Sequence, residues 1–193
     1  MTPEKILNFW LDEIDSKQWY KSSKKLDTTI LKQFYSVWVS IMDGECGMWL
    51  TFPSGSLAYI LVLDQFSRNM FRGSPKAFSS DYVALSAAKQ AIKHKFDLAI
   101  DEPARQFFYL PLMHSESLQD QERCVRLMHE RMPVEGIDNL LHAKAHREVI
   151  RKFGRFPTSN MALNRINTTL EADFMQSGGY GMTYTQLANN AQA

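Results

Sequence analysis

The chain has 193 residues, of which 45% are hydrophobic and 22% are charged, and its formal net charge is +1. These values are typical of a globular protein, and they provide no overall field that would attract nucleic acid or an anionic membrane. The longest apolar run, residues 57–63, is far too short to span a bilayer. The sequence therefore predicts a cytoplasmic protein with no nucleic-acid and no membrane partner, in which Cys46 and Cys124 stay reduced.

Helical periodicity dominates the sequence, and no stretch shows the alternation of a half-buried strand. Thr2 and Pro3 are typical of a helix start, and Gly154 after Phe153 is typical of a helix end. Short connections between helices of this length favour antiparallel neighbours. The predicted helices cover about residues 3–14, 24–42, 54–71, 79–95, 103–111, 117–131, 137–153 and 159–175.

These patterns predict an all-α fold with about seven or eight helices in antiparallel hairpins. A single domain is expected over residues 6–176. Residues 177–193 are glycine-rich and then polar, which predicts a loosely held C-terminal tail. No repeat of about 34 residues is visible, so periodicity alone does not indicate a helical solenoid.

The third predicted helix changes character along its length. Residues 57–63 are apolar on all sides, which predicts complete burial. In the second half, Asp64 and Arg68 are spaced as an i,i+4 ion pair, and Arg72 continues the same face. This face is either a solvated or helix-packing ladder or the wall of a polar groove. A ligand-binding role is predicted for Asp64, Gln65, Arg68, Asn69 and Arg72.

The seventh predicted helix separates charge from apolar surface. Lys144, Arg147 and Arg151 lie on one side, and His142 and His146 fall on the apolar side. The basic side is either a solvated face or a site for a phosphate or carboxylate. Histidines four residues apart can bind a metal ion, but no third ligand is evident nearby, so no metal is predicted.

His114 and Glu116 lie where one predicted helix ends and the next begins. Helix junctions direct backbone N–H groups and side chains into clefts, and a histidine beside an acid is suited to proton transfer. The alternative is that His114 caps the carbonyls of the preceding helix. The sequence contains no nucleophile elbow, P-loop, dinucleotide fingerprint or H-E-x-x-H motif, and no cofactor is predicted.

Three long motifs occur together in this chain: "LVLDQFSRNMFRGSPKAFSSD", "FFYLPLMHSESLQDQE" and "HREVIRKFGRFPTSN". Their order and spacing resemble a bacterial family known as domain of unknown function 924, and the resemblance extends from Ile6 to Gly179. It implies an all-α fold similar to tetratricopeptide-repeat proteins, with helical hairpins wound into a right-handed superhelix. It implies no established activity.

The resemblance also identifies positions that match the family pattern and positions that depart from it. Ser67 stands where the family has proline, and Thr158 and Ser159 stand where it has histidine and arginine. Any chemistry of those last two residues in relatives would be altered here. The matched positions are Asp64, Gln65, Arg68, Asn69, Arg72, His114, Glu116, Gln121, His146, Arg147, Arg155 and Asn160.

Three interpretations of these polar motifs remain open. The favoured one is an interaction module whose polar groove binds a protein or peptide, since tetratricopeptide-like surfaces suit such partners. The alternative is a site for an anionic small molecule, or an enzyme, in which His114 or His146 carries a proton and Glu116 orients it. Arg68, Arg72 and Arg155 would then clamp the anion, with Arg147 and Asn160 as further contacts. The third is that the motifs only support the fold.

Overall fold

The structure is a computed structural model that describes residues 1–192. Within that range the chain is helical and has no strand, which confirms the predicted all-α class. The chain divides into two compact units, Met1–Pro111 and a second that begins at Leu112. Compactness does not establish that either unit folds alone, so the single domain over residues 6–176 stays a prediction. Throughout the described part of the chain, each helix is too short or too polar to cross a lipid bilayer.

The first unit contains helices α1 to α5, joined by shorter 3₁₀ and π-helical turns. The helix α1 continues directly into a wide, π-helical turn at Asn8–Glu13, and α3 continues through such a turn at Val62–Phe66 into α4. The bounds are Pro3–Leu7 for α1, Lys24–Met42 for α2, Pro53–Leu61 for α3, Ser67–Met70 for α4 and Asp81–Lys93 for α5.

The second helix, α2, coincides with its prediction. The Ser23 hydroxyl accepts a hydrogen bond from the backbone N–H of Leu26, which satisfies one of the unpaired donors at the helix start. At the start of α1 the outcome differs, because Thr2 occupies the cap position and its side chain makes no capping hydrogen bond there. The buried stripe of α2 consists of Leu26, Ile30, Phe34, Val37, Trp38 and Ile41.

The core of the first unit is aromatic. Phe66 lies against Trp10 and Phe34, with ring centroids 5.2 and 4.8 Å apart. Trp10 and Phe34 are themselves fully or almost fully buried. The predicted burial of residues 57–63 is confirmed, since every residue of that run is buried. The apolar helix α3 is therefore the central element of this unit.

The second unit is built on a hairpin of α7, Leu118–Arg131, and α8, Ile137–Phe153. Arg147 and Arg151, near the end of α8, contact Glu122 near the start of α7, so the two helices are antiparallel, as predicted. Gly154 ends α8 with φ 68°, a left-handed conformation that glycine adopts without steric cost. Cys124 of α7 is completely buried.

The helix α7 begins after Ser117 and has no side-chain cap. Ser117 occupies the cap position, but its side chain makes no capping hydrogen bond. Asp120 instead accepts a hydrogen bond of 2.9 Å from the Ser115 hydroxyl, which belongs to the preceding turn. Before this turn, the segment from Pro103 forms a 3₁₀ helix at Ala104–Phe108 and the short helix α6 at Leu110–Met113. The helix predicted over residues 103–111 is therefore two short segments, and the break at Tyr109 comes just before Pro111, where a kink or an end was expected.

The C-terminal part of the second unit is more helical than predicted. The helix predicted over residues 159–175 begins only at Thr169 and forms α9, Thr169–Gln176. The segment predicted to be a loosely held tail contains α10, Gly179–Gln192. Tyr180 and Tyr184 of α10 lie against His142 of α8, with ring centroids 6.0 and 4.5 Å apart. The Gly-rich turn therefore leads into a packed helix.

Candidate functional site

In the first unit, Arg68 lies between two carboxylates. Its Nη1 atom is 3.2 Å from Asp64 Oδ1, the predicted i,i+4 pair, and the guanidinium donates two hydrogen bonds of 2.9 and 3.1 Å to Asp81. Burial acts to lower the pKa of Arg68, but the charges of Asp64 and Asp81 outweigh it and raise the pKa above its ordinary value. The guanidinium thus ties α4 to the start of α5.

Arg72 has a different partner and does not share this pair. Its guanidinium donates two hydrogen bonds of 2.8 and 3.0 Å to Asp27 of α2. The same Asp27 carboxylate accepts a hydrogen bond of 2.8 Å from Asn69 Nδ2, and Asn69 Oδ1 accepts one of 3.2 Å from Gln65 Nε2. The predicted ladder is therefore two separate connections, one to α5 and one to α2.

The wide turn at Val62–Phe66 receives hydrogen bonds from side chains. The Ser80 hydroxyl donates to the carbonyl of Leu63 at 2.6 Å, and Arg68 Nη1 donates to the carbonyl of Asp64 at 3.1 Å. Ser67 Oγ lies 2.7 Å from Ser80 Oγ and accepts a hydrogen bond of 2.7 Å from the indole N–H of Trp38. The "DQFSRN" motif and the later serine thus support one irregular helical turn.

In the second unit, Glu116 and Arg155 anchor the segment after α8. The Oε1 atom of Glu116 accepts hydrogen bonds from the backbone N–H of Phe156 at 3.0 Å and from Arg165 Nη1 at 2.7 Å. Arg155 donates two hydrogen bonds to Glu171 at 2.5 and 2.7 Å. The Arg155 pair, with the hydrogen bonds of Thr168, lowers the pKa of Glu171 from its ordinary 4.5 to about 2.

The predicted proton carriers, His114 and His146, lie beside one another, and their ring centroids are 6.4 Å apart. His146 Nδ1 lies 2.9 Å from the carbonyl oxygen of His142. Because a carbonyl only accepts, Nδ1 carries a proton, and in the neutral ring the basic lone pair is on Nε2. The rings of Phe156 and Tyr180 also pack on the His146 ring, with centroids 5.4 and 4.7 Å from its centroid.

His142 links α8 to α10. Its Nδ1 atom lies 2.5 Å from the hydroxyl oxygen of Tyr180, and its Nε2 atom lies 3.6 Å from Asp138 Oδ2. Burial lowers the pKa of His142, and the nearby Asp138 carboxylate only partly opposes that effect. Among the described residues, no group of three or more histidine, cysteine, aspartate or glutamate side chains is placed to hold a metal ion.

The arginines on the basic side of α8 form ion pairs with glutamates of the same unit. Arg147 is 3.3 Å from Glu122 and 3.1 Å from Glu148, and Arg151 contacts the same two carboxylates. Partial burial acts to raise the pKa of Glu122, but the hydrogen bond from Arg151 and the charge of Arg147 hold it below its ordinary value. Arg147 is thus an ion-pair partner of two glutamates. Asn160 is buried and donates 2.7 Å to Asn167 Oδ1.

Apart from Asp64, which was predicted to pair with Arg68, sequence reasoning did not identify the residues that pair with the predicted sites. Most lie far from their partners along the chain, as Asp27 does from Arg72, and a single sequence carries no signal for such contacts. Among these partners, only Asp64, Asp138 and Glu148 lie three or four residues from the side chain they pair with, a spacing that can be recognised in a helical sequence. The missed partners include Asp27, Asp81, Glu122, Arg165, Glu171 and Tyr180.

Comparison with known proteins identifies relatives but no activity. A family described as "Bacterial protein of unknown function (DUF924)" matches residues 6–179. The structure of a protein of unknown function from Agrobacterium tumefaciens is similar, with a TM-score of 0.84 and 33% sequence identity. The similarity covers 91% of this chain and 97% of the Agrobacterium chain. A search of curated proteins finds no match.

Proposed function

The chain belongs to the bacterial DUF924 family of unknown function, and on that premise we propose that it is a protein-interaction module. One observation carries this proposal. Met161, Ile166 and Leu170, in a single stretch of the second unit, are 91%, 90% and 70% exposed. Clustered apolar side chains in water are typical of surfaces that another polypeptide covers. We call these three residues the apolar loop.

The backbone of the apolar loop is held in place. The N–H of Arg165 donates a hydrogen bond of 2.8 Å to the carbonyl oxygen of Asn160. This bond joins the residue before Ile166 to the residue before Met161. This closure brings the α-carbons of Met161 and Ile166 to within about 10 Å of each other. Arg155 Nη2 also donates 3.0 Å to the carbonyl of Ile166. The backbone next to Met161 and at Ile166 is therefore held in place by these hydrogen bonds.

Fixed presentation supports binding in energetic terms. Exposed apolar side chains gain free energy when another surface removes them from water, at about 25 cal/mol per Å² of buried apolar area. A loop that is already ordered loses less conformational entropy on binding than a mobile one. Arg155 and Arg165 lie beside the apolar loop, and arginine is enriched in protein interfaces. The partner that fits is a polypeptide with apolar side chains at its contact surface.

The polar motifs support the same proposal by their own pairing. Arg68, Arg72 and Arg155, the predicted anion clamps, each bind a carboxylate of their own unit. Such pairs connect helices and loops, which is what the scaffold of an interaction module requires. The polar groove and the tetratricopeptide-like superhelix stay predictions.

Photocrosslinking in a bacterium that naturally contains the protein tests the proposal. A photoreactive amino acid replaces Ile166, and the crosslinked partner is identified and then purified for a binding assay. The triple variant Met161→Ser, Ile166→Ser, Leu170→Ser should weaken binding of that partner at least about tenfold, because most of the apolar contact area is lost.

A matched control uses apolar residues of the first unit. Met48 and Tyr82 are 74% and 71% exposed, and Met48→Ser with Tyr82→Ser should leave binding unchanged. Equal losses in the two sets of variants would show that general surface hydrophobicity, rather than the apolar loop, is responsible. Absence of a reproducible crosslinked protein would contradict the proposal directly.

A second candidate function, acid–base chemistry on an anionic small molecule, is favoured by the adjacent rings of His114 and His146. The hydrogen bond of His146 Nδ1 to a backbone carbonyl orients that ring, as proton carriers in enzymes require. A thermal-shift screen against anionic metabolites tests this role. A true ligand should stabilise the protein and should lose that effect in His146→Asn. Stabilisation by none of the compounds would contradict it.

A further inference from the structure

A groove lies between α7 and α8, on the hairpin of the second unit. Its volume is about 350 Å³, within the range of small-molecule sites. Half-buried Val125 and Leu140 contribute apolar surface to it. The lining residues are Glu122, Val125, Arg126, His129, Leu140 and Lys144.

The antiparallel hairpin explains why the basic groups of the groove converge. Arg126 and His129 are three residues apart on α7, so their side chains share one face of that helix. Lys144 lies four residues after Leu140 on α8 and faces the same groove. Three nitrogen-bearing side chains from two helices thus surround one space.

These basic groups are not neutralised by the protein. In the portion of the chain that the structure describes, the side chains of Arg126, His129 and Lys144 form no hydrogen bond or ion pair. The one acid that lines the groove, Glu122, is held by Arg147 and Arg151. The groove therefore retains the full positive charges of Arg126 and Lys144, in contrast to the paired arginines elsewhere in the unit.

We propose that the groove between α7 and α8 binds the phosphate group of a phosphorylated small molecule. A phosphate dianion matches the two charges of Arg126 and Lys144, and the flat guanidinium of arginine can donate two parallel hydrogen bonds to it. His129 adds a further ring nitrogen at the groove. The apolar surface of Val125 and Leu140 suits the carbon skeleton of the ligand.

The size of the groove restricts the ligand to a small one. A volume of about 350 Å³ accommodates one phosphate group and a short carbon skeleton. The inference is independent of the proposed protein partner, because the apolar loop and the groove have no residue in common.

Titration of the ¹⁵N-labelled full chain with inorganic pyrophosphate, followed by NMR, tests the inference. Saturable shifts are expected for the amides of residues 125–129 and 140–144. Arg126→Gln and Lys144→Gln should each weaken pyrophosphate binding about tenfold, since each removes a charge-assisted hydrogen bond. Both positions lie on helix surfaces, and thermal melts of the variants will show that they remain folded.

Arg123→Gln is the matched control, because it removes the same charge from the same helix at a position that does not line the groove. It should leave the affinity for pyrophosphate unchanged. Equal weakening by Arg123→Gln and Arg126→Gln would overturn the inference, since net charge alone would then explain binding. Absence of saturable shifts at millimolar pyrophosphate would also overturn it, unless the phosphate comes from a lipid.

A second measurement distinguishes free phosphate compounds from lipid headgroups. The protein is sedimented with vesicles of phosphatidylglycerol or of phosphatidylcholine. Pyrophosphate binding without sedimentation identifies a free phosphate compound as the ligand. Sedimentation only with phosphatidylglycerol, lost in Arg126→Gln and kept in Arg123→Gln, identifies a phospholipid headgroup. If neither pyrophosphate nor phosphatidylglycerol binds, the groove is not a phosphate site.

Discussion

The guanidinium of Arg155 donates two hydrogen bonds to the carboxylate of Glu171, which is almost completely buried. Glu171 also completes a capping box with Thr168 at the start of α9. One carboxylate thus joins the residue after Gly154 to the first turn of a helix sixteen positions further along the chain. The apolar loop lies between these two anchors.

The first prediction concerns acid. Because the pKa of Glu171 falls from 4.5 to about 2 in the folded protein, its ion pair stabilises the fold fully above pH 4.5. That contribution is lost as the pH falls from 4.5 towards 2. We expect Glu171→Gln to lower the melting temperature at pH 7 and to flatten its dependence on pH between 5 and 2, measured by circular dichroism.

Asp173→Asn provides the control for this experiment, because Asp173 is an exposed carboxylate of the same helix. It should leave the melting curve close to that of the wild type at every pH. If Asp173→Asn and Glu171→Gln flatten the acid transition equally, the Arg155–Glu171 pair is not the group that titrates.

The second prediction compares two arginines of the first unit. Arg68→Met removes the ion pair of the buried Asp64, and we expect a loss of about 3 kcal/mol in the free energy of unfolding. Arg72→Met breaks a more exposed pair with Asp27, for which we expect about 1 kcal/mol or less. Urea unfolding followed by tryptophan fluorescence measures both. Similar losses would mean that burial of Asp64 has no energetic weight.

The third prediction concerns Ser67, which stands where the family pattern has proline. Ser67 is fully buried and accepts the indole hydrogen bond of Trp38. Ser67→Ala leaves that N–H with only a longer contact of 3.3 Å to Ser80, so we expect a loss of about 1–2 kcal/mol. Exposed Ser79→Ala should lose clearly less in the same urea experiment.

The fourth prediction concerns His142 and near-neutral pH. The ring faces Asp138 on its own helix and Tyr180 and Tyr184 on α10. Because burial lowers the pKa of His142 below 6.5, the folded state resists protonation, and packing of α10 weakens as the pH falls below 6.5.

Hydrogen exchange measured by mass spectrometry at pH 7.5 and 5.5, corrected for intrinsic rates, follows this effect. Peptides from residues 180–190 should lose protection at the lower pH, and His142→Gln should remove most of the difference. Unchanged protection in the wild type would show that protonation of His142 does not weaken the contact of α8 with α10.

Helix positions were predictable wherever local chemistry specifies them. Residues 137–153 form a helix as predicted, because an amphipathic stripe ends at a glycine that adopts a left-handed conformation. The helix α10 in the tail was not predicted, for the same local reason. Its glycines and amides disfavour an isolated helix, whereas rings such as Tyr180 and Tyr184 gain packing against His142 only in the folded unit.

The candidate site was less predictable than the helices. Periodicity places Arg68 and Arg72 on one face, but the choice of Asp81 and Asp27 as partners depends on how α5 and α2 pack around that face. The wide turn at Val62–Phe66 shifts the helical phase just before these residues, and an ideal 3.6-residue period does not contain that shift. Tertiary packing therefore decides which polar groups meet.

The reactivity of the buried Cys124 thiol provides a measure of how often the α7–α8 hairpin opens. Burial raises the pKa of this thiol, so neither the thiolate nor the sulfur atom is accessible to an alkylating reagent in the folded protein. Cys46, in the first unit, is partly accessible and should react first. The rate at which Cys124 is alkylated afterwards then measures how often α7 separates from its core, without any label or mutation.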